Sequence, residues 1–91
     1  MYTLVSTNRF KKDIQMYQRD VKTSNRLKDI FHYFIQGLPL PMQYKDHALK
    51  GKFLGYRECH VFPDTLLIYE KDDKEKIITL AYIGTHSDLF K

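Results

Sequence analysis

Three of the four histidines in this 91-residue chain, His47, His60 and His86, fall outside the stretches that read as helix, and Asp64 follows His60 in the next turn. A histidine titrates near pH 6.5, so it can give or take a proton at neutral pH. Lys45, Lys50, Lys52 and Arg57 stand near the first two. Such cations can hold a phosphate and offset the charge that develops on it during a reaction. Imidazoles, a carboxylate and cations in this combination suit acid–base chemistry on an anionic partner. The fourth histidine, His32, lies inside a helical stretch and off its apolar stripe, and reads as structural or solvated.

Two other readings use the same residues. His47, His60, Asp64 and His86 are acceptable zinc ligands by type, but they come from three separate segments without the short spacings of zinc sites, so no metal is expected. A plain nucleic-acid binder needs the basic loop and leaves the histidines without a role.

The elements that must position these groups can be read from pattern. Residues 2–5 form a first strand. Ser6, Thr7 or Asn8 then caps a helix whose stripe is Phe10, Ile14, Tyr17 and Val21. A break at Lys22-Thr23-Ser24, with Ser24 as the next cap, opens a second helix striped by Leu27, Ile30, Phe31, Phe34, Ile35 and Leu38. Gly37, Pro39 and Pro41 end it. Residues 39–55 read as an irregular basic loop. A hairpin follows over 56–69, turning at Phe62-Pro63-Asp64-Thr65. Alternation puts Tyr56, Glu58, His60 and Phe62 on one face, and Arg57, Cys59 and Val61 on the other. Glu58 and His60 together mark theirs as the open face. After a polar turn at residues 72–75, a last strand runs from Ile77 to Ile83, Gly84 breaks it, and residues 85–91 form a tail of one helical turn. The expected fold is α+β: a strand, a two-helix hairpin on one side, then a mainly antiparallel sheet with a short C-terminal tail.

Composition narrows the class. Residues 1–91 read as one domain, and with 43% hydrophobic residues it can hold a core without staples. The single cysteine, Cys59, excludes an internal disulfide and fits a reducing compartment. No run is long enough for a membrane span, and the first residues lack the pattern of a secretion signal, so the expected location is the cytoplasm. A net charge of +4 favours an anionic partner.

Several ordered segments carry a family likeness: Leu38-Pro39-Leu40-Pro41, the run from Tyr44 to Gly51, Gly55 to Val61, Pro63-Asp64, Leu67-Ile68-Tyr69, and Gly84 to Phe90. Together they resemble the YafQ branch of the RelE/ParE toxin superfamily. The resemblance implies a RelE-like fold and a metal-independent endoribonuclease that cuts messenger RNA on the ribosome. It implies a cognate antitoxin of the DinJ or RelB kind as partner, with operator DNA reached only through that antitoxin. A member of the superfamily without ribonuclease activity, a gyrase inhibitor or nucleic-acid binder, is the alternative, against which the histidine–aspartate set argues. Carried over by position, the catalytic residues are His47, His60, Asp64 and His86. Lys45, Lys50, Lys52, Arg57, Tyr82 and Phe90 are the RNA-binding set, and no cofactor is implied. Two positions depart from the family pattern: its tryptophan after Pro-Asp is Thr65 here, and its arginine four residues before the last histidine is Tyr82. Either Tyr82 donates a hydrogen bond or moves a proton itself, or Arg57 or Lys52 supplies the charge from elsewhere.

Overall fold

The computed structural model describes residues 1–90. In chain order the elements are β1 (Thr3–Ser6), α1 (Asn8–Ile14), α2 (Val21–Gln36), β2 (His47–Ala48), β3 (Arg57–Phe62), β4 (Thr65–Asp72), β5 (Ile77–Gly84) and α3 (His86–Leu89). Single 3-10 turns occur at Gln15–Tyr17, Met42–Tyr44 and Gly51–Phe53. The strands make one five-stranded sheet in the order β1-β5-β4-β3-β2. β1 runs parallel to β5, and the other neighbours are antiparallel. The α+β expectation holds.

β4 lies at the centre, and its residues Leu66, Leu67, Ile68 and Tyr69 are all buried. A strand covered on both faces reads as a continuous apolar run, because neither set of alternating side chains meets water. On one face Leu67 and Tyr69 pack with Cys59, Val61, Ile78 and Leu80 beneath Phe10, Leu27, Ile30 and Phe34 of the helices. Ile30 is completely buried there, which is worth about 1.5–3 kcal/mol relative to exposure. On the other face Leu66 and Ile68 form a smaller core with Leu89 of α3, flanked by Leu49, Phe53, Tyr56 and Tyr82.

Local chemistry explains the boundaries. Thr7 caps α1 by accepting from the Phe10 N–H at 3.0 Å. The next cap is Asp20, which accepts from the Thr23 N–H, rather than the expected Ser24, a residue inside α2. α1 correspondingly stops earlier than the stripe suggested. Val21 is the first residue of α2 and is 70% exposed, so its spacing from Tyr17 is coincidental. α2 ends at Gly37, whose φ of 70° suits the left-handed cap. Leu38, expected on the buried stripe, lies beyond that cap and is exposed.

The loop at 39–55 contributes β2, which had not been expected as a strand. At the hairpin, a register shift between His60 and Phe62 turns Phe62 to the helix side, where it packs on the main core and under the Arg26 guanidinium. Phe62 therefore leaves the face of Glu58 and His60, because a bulge breaks the period of two. The tail forms α3 as expected, its last residue, Lys91, lying outside the described residues.

Candidate active site

β3 sets the floor of the site. Glu58 and His60 alternate onto the face away from α1 and α2, and β2 pairs so that His47 lies directly opposite Glu58. His47 Nε2 stands 3.1 Å from Glu58 Oε2, and His60 Nε2 lies 3.5 Å from the same oxygen. Glu58 is only 5% exposed, so the face is less open than the sequence implied. A buried carboxylate is tolerable here because two imidazoles face it. His47 is oriented at its other nitrogen, Nδ1–H donating to the Lys45 carbonyl at 2.7 Å. His60 Nδ1 approaches the Pro63 carbonyl at 3.3 Å.

The second pair comes from two turns. Asp64 sits at the tip of the β3–β4 hairpin, and His86 opens α3, which a capping box between Thr85 and Asp88 holds in place. His86 Nδ1 lies 2.7 Å from Asp64 Oδ1, and the His86 backbone N–H donates to that oxygen at 3.1 Å. The bond from the His86 ring, then that from its backbone, holds the Asp64 carboxyl below the usual carboxylate range. An ionised carboxylate only accepts, so Nδ1 carries the proton and Nε2 is the nitrogen left for chemistry.

The three rings form an arc. The His47 and His60 centroids are 6.1 Å apart, His60 and His86 another 6.1 Å, and Phe90 follows His86 at 6.2 Å. An aromatic row continues from there. Phe53 meets Phe90 edge-on at 5.3 Å, and also meets Tyr82 at 5.9 Å and Tyr56 at 6.1 Å. Tyr17, in the turn after α1, packs against the helix-side core; burial, then the charges of Asp88, Asp13 and Asp64, raise its pKa.

The fold thus gathers His47, His60, Asp64, His86 and Phe90, and links Tyr82 to them through Phe53. Arg57 is not among them. It lies on the opposite face of β3 in an ion pair with Asp46 at 2.8 Å, and the Tyr69 hydroxyl donates to the same carboxylate. Hydrogen bonding to Asp46 raises the Arg57 pKa and fixes it as a structural cation there. Lys45 and Lys50 are exposed on the loop, and Lys52 Nζ lies 5.6 Å from the Phe53 ring centre. Two residues absent from the sequence-based set stand out: Glu58 beneath two histidines, and Arg9 beside Tyr82, its guanidinium carbon 5.1 Å from the ring centre. The spacing of Glu58 from His60 was visible in the sequence, but its pairing with His47 depends on β2. Ligand atoms of His47, Glu58 and His60 lie within 4.8 Å of one another. Two imidazoles and a carboxylate could hold a divalent transition-metal ion, a set that includes Glu58 rather than Asp64 or His86.

The chain falls in the class of small bacterial toxins of type II toxin–antitoxin systems. The chain belongs to the YafQ family: residues 2–91 match the family described as "Bacterial toxin of type II toxin-antitoxin system, YafQ". It is 41% identical over 85 residues to the mRNA interferase toxin YafQ of Escherichia coli K12, covering 92% of this chain and 90% of that one. The toxin in the Escherichia coli DinJ-YafQ complex superposes with a TM-score of 0.86 at 38% identity, all of both chains being covered. A metal-bound toxin from Helicobacter pylori superposes with a TM-score of 0.89 at 34% identity, over 99% of this chain and 100% of that one. Among the described residues no helix is long and apolar enough to cross a membrane.

Proposed function

We propose that this toxin is an mRNA interferase, an endoribonuclease that cuts messages on the ribosome with its own side chains as acid and base. The observation that carries this reading is the arc of three imidazoles backed by two carboxylates, Glu58 between His47 and His60 at 3.1 and 3.5 Å and Asp64 against His86 at 2.7 Å. RNA cleavage needs a base to take the 2′-OH proton, donors around the phosphate, and an acid for the 5′-oxygen. His86 is the acid, acting through Nε2, and Asp64 is the residue that orients it. His60 is the base: its Nδ1–H donates to the Pro63 carbonyl, and the Nε2 lone pair takes the proton. Glu58, 3.5 Å away, stabilises the imidazolium that forms, while His47 faces the phosphate. Attack by the 2′-oxygen on phosphorus forms that bond and breaks the P–O5′ bond. The products are a 2′,3′-cyclic phosphate and a free 5′-hydroxyl. Phe53 and Phe90 offer rings for bases, and Lys45, Lys50 and Lys52 line the approach.

The partner is a cognate antitoxin, by analogy with the DinJ-YafQ complex, and operator DNA is reached only through it. The whole chain acts as one domain in the cytoplasm, where ribosomes and messages are found. Induced alone, it arrests growth and cleaves translated messages, and co-expression of the antitoxin restores growth. Arrest with intact messages and inhibited gyrase would overturn this reading.

A further inference from the structure

β1 pairs with β5 only as far as Ser6 opposite Leu80, so the outer edge of β5 beyond that point needs other partners. The α1 segment supplies them. Thr7 Oγ1 donates to the Ala81 carbonyl at 3.0 Å, and Asp13 Oδ2 accepts from the Ile83 N–H at 3.3 Å. These two bonds fasten α1 against the sheet edge on either side of Tyr82, whose ring belongs to the site face.

Arg9 lies between the two anchors. Its Nε donates to Asp13 Oδ1 at 2.9 Å, and its guanidinium carbon sits 5.1 Å from the centre of the Tyr82 ring. Asp13 therefore uses one oxygen on the backbone of β5 and the other on Arg9, which fixes the guanidinium relative to the strand. Engagement through Nε leaves the two terminal nitrogens for another acceptor, and the side chain is half exposed. From Tyr82 the rings of Phe53 and Phe90 lead to His86. Two other arginines are occupied elsewhere: Arg57 of β3 by Asp46, and Arg26 of α2 by the Val61 carbonyl and the Phe62 ring.

We propose that Arg9 is an RNA-binding residue of this site, held over Tyr82 to grip a phosphate next to the one that is cut. The proposal rests on the ribonuclease reading above. A planar guanidinium with two free donors matches a phosphate oxygen pair, and an aromatic support reduces the freedom lost on binding. The rings between Arg9 and His86 separate this cation from the acid, so it serves binding and positioning of the strand more than the chemical step.

The test is single-turnover cleavage of a defined message on programmed ribosomes, with toxin concentration and salt both varied. Arg9→Ala should raise the toxin concentration for half-maximal rate by about tenfold or more, as loss of a charge-assisted bond implies. It should lower the slope of log affinity against log salt by about 0.7, one phosphate contact on a single strand. Arg9→Lys should recover part of the binding and the salt slope, and Tyr82→Ala should reproduce part of the loss. Unchanged half-saturation and salt slope in Arg9→Ala, with the wild type active, would overturn the assignment. So would equal losses in Arg9→Ala and Arg9→Lys that track a lowered melting temperature, since that pattern marks a structural role. An intact message with wild-type toxin would instead defeat the ribonuclease reading itself.

Discussion

Replacing His86 by alanine separates chemistry from architecture in this fold. The imidazole is 55% exposed, and the capping box that holds α3 uses Thr85 and Asp88, not the His86 ring. Leu89 stays buried, and the backbone N–H at position 86 still donates to Asp64. What disappears is Nε2, the proton donor to the 5′-oxygen in the mechanism proposed above. A well-placed acid contributes roughly 10²–10⁴-fold to a rate. At 1.36 kcal/mol per decade that is about 2.7–5.4 kcal/mol of barrier. Single-turnover cleavage on programmed ribosomes should therefore slow by about two to four decades. Antitoxin binding should be that of the wild type, and the melting temperature should fall no further than loss of the exposed His86–Asp64 contact accounts for. His32→Ala, on the exposed side of α2, should cleave at the wild-type rate. A rate for His86→Ala within about fivefold of wild type, in a folded protein, is far outside the range for a lost acid and would refute the assignment.

Other consequences follow from named contacts. The lowered Asp64 pKa means that its ionised form is favoured by folding, so its contribution is present above the ordinary carboxylate pKa and is lost as pH falls through the depressed value. The melting-temperature gap between wild type and Asp64→Asn should therefore be present at neutral pH and close in acid, as followed by circular dichroism. Ile30→Ala empties the helix-side core and should cost about 2–5 kcal/mol in urea unfolding. Gly37→Ala should destabilise by about 1–2 kcal/mol or more, from its positive φ. An added Cβ there would also lie 2.8 Å from the Tyr2 ring, and the same unfolding experiment measures the sum. Under the proposed mechanism, in which both proton carriers are side chains of the protein, cleavage in the presence of a chelator should proceed at the rate seen without it.

Much of this was legible in the chain, where the signals were local. The Pro63-Asp64 turn between apolar runs gave the hairpin, Gly37 gave the end of α2, and the Thr85-to-Asp88 segment gave one helical turn. The helix break was misread because Val21 continued the spacing of Phe10, Ile14 and Tyr17, and only the cap at Asp20 reveals where the chain restarts. Phe62 was assigned to the wrong face because a bulge is invisible to a strict period of two. Glu58 looked like a solvent residue since a lone buried carboxylate is costly; His60 stands two residues away on β3, but His47 comes from β2, a pairing no local window contains. Arg9 was invisible for the same reason, as it meets Tyr82 across more than seventy residues of chain.

The central claim is that this YafQ-family toxin cuts RNA with its own acid and base. The most direct test is the structure of the ends made by purified toxin on a ribosome-bound message. A 2′,3′-cyclic phosphate on the upstream fragment and a 5′-hydroxyl on the downstream one, formed in the presence of chelator, is the predicted result. A 3′-hydroxyl with a 5′-phosphate, or an uncut message in the presence of folded toxin, would contradict it.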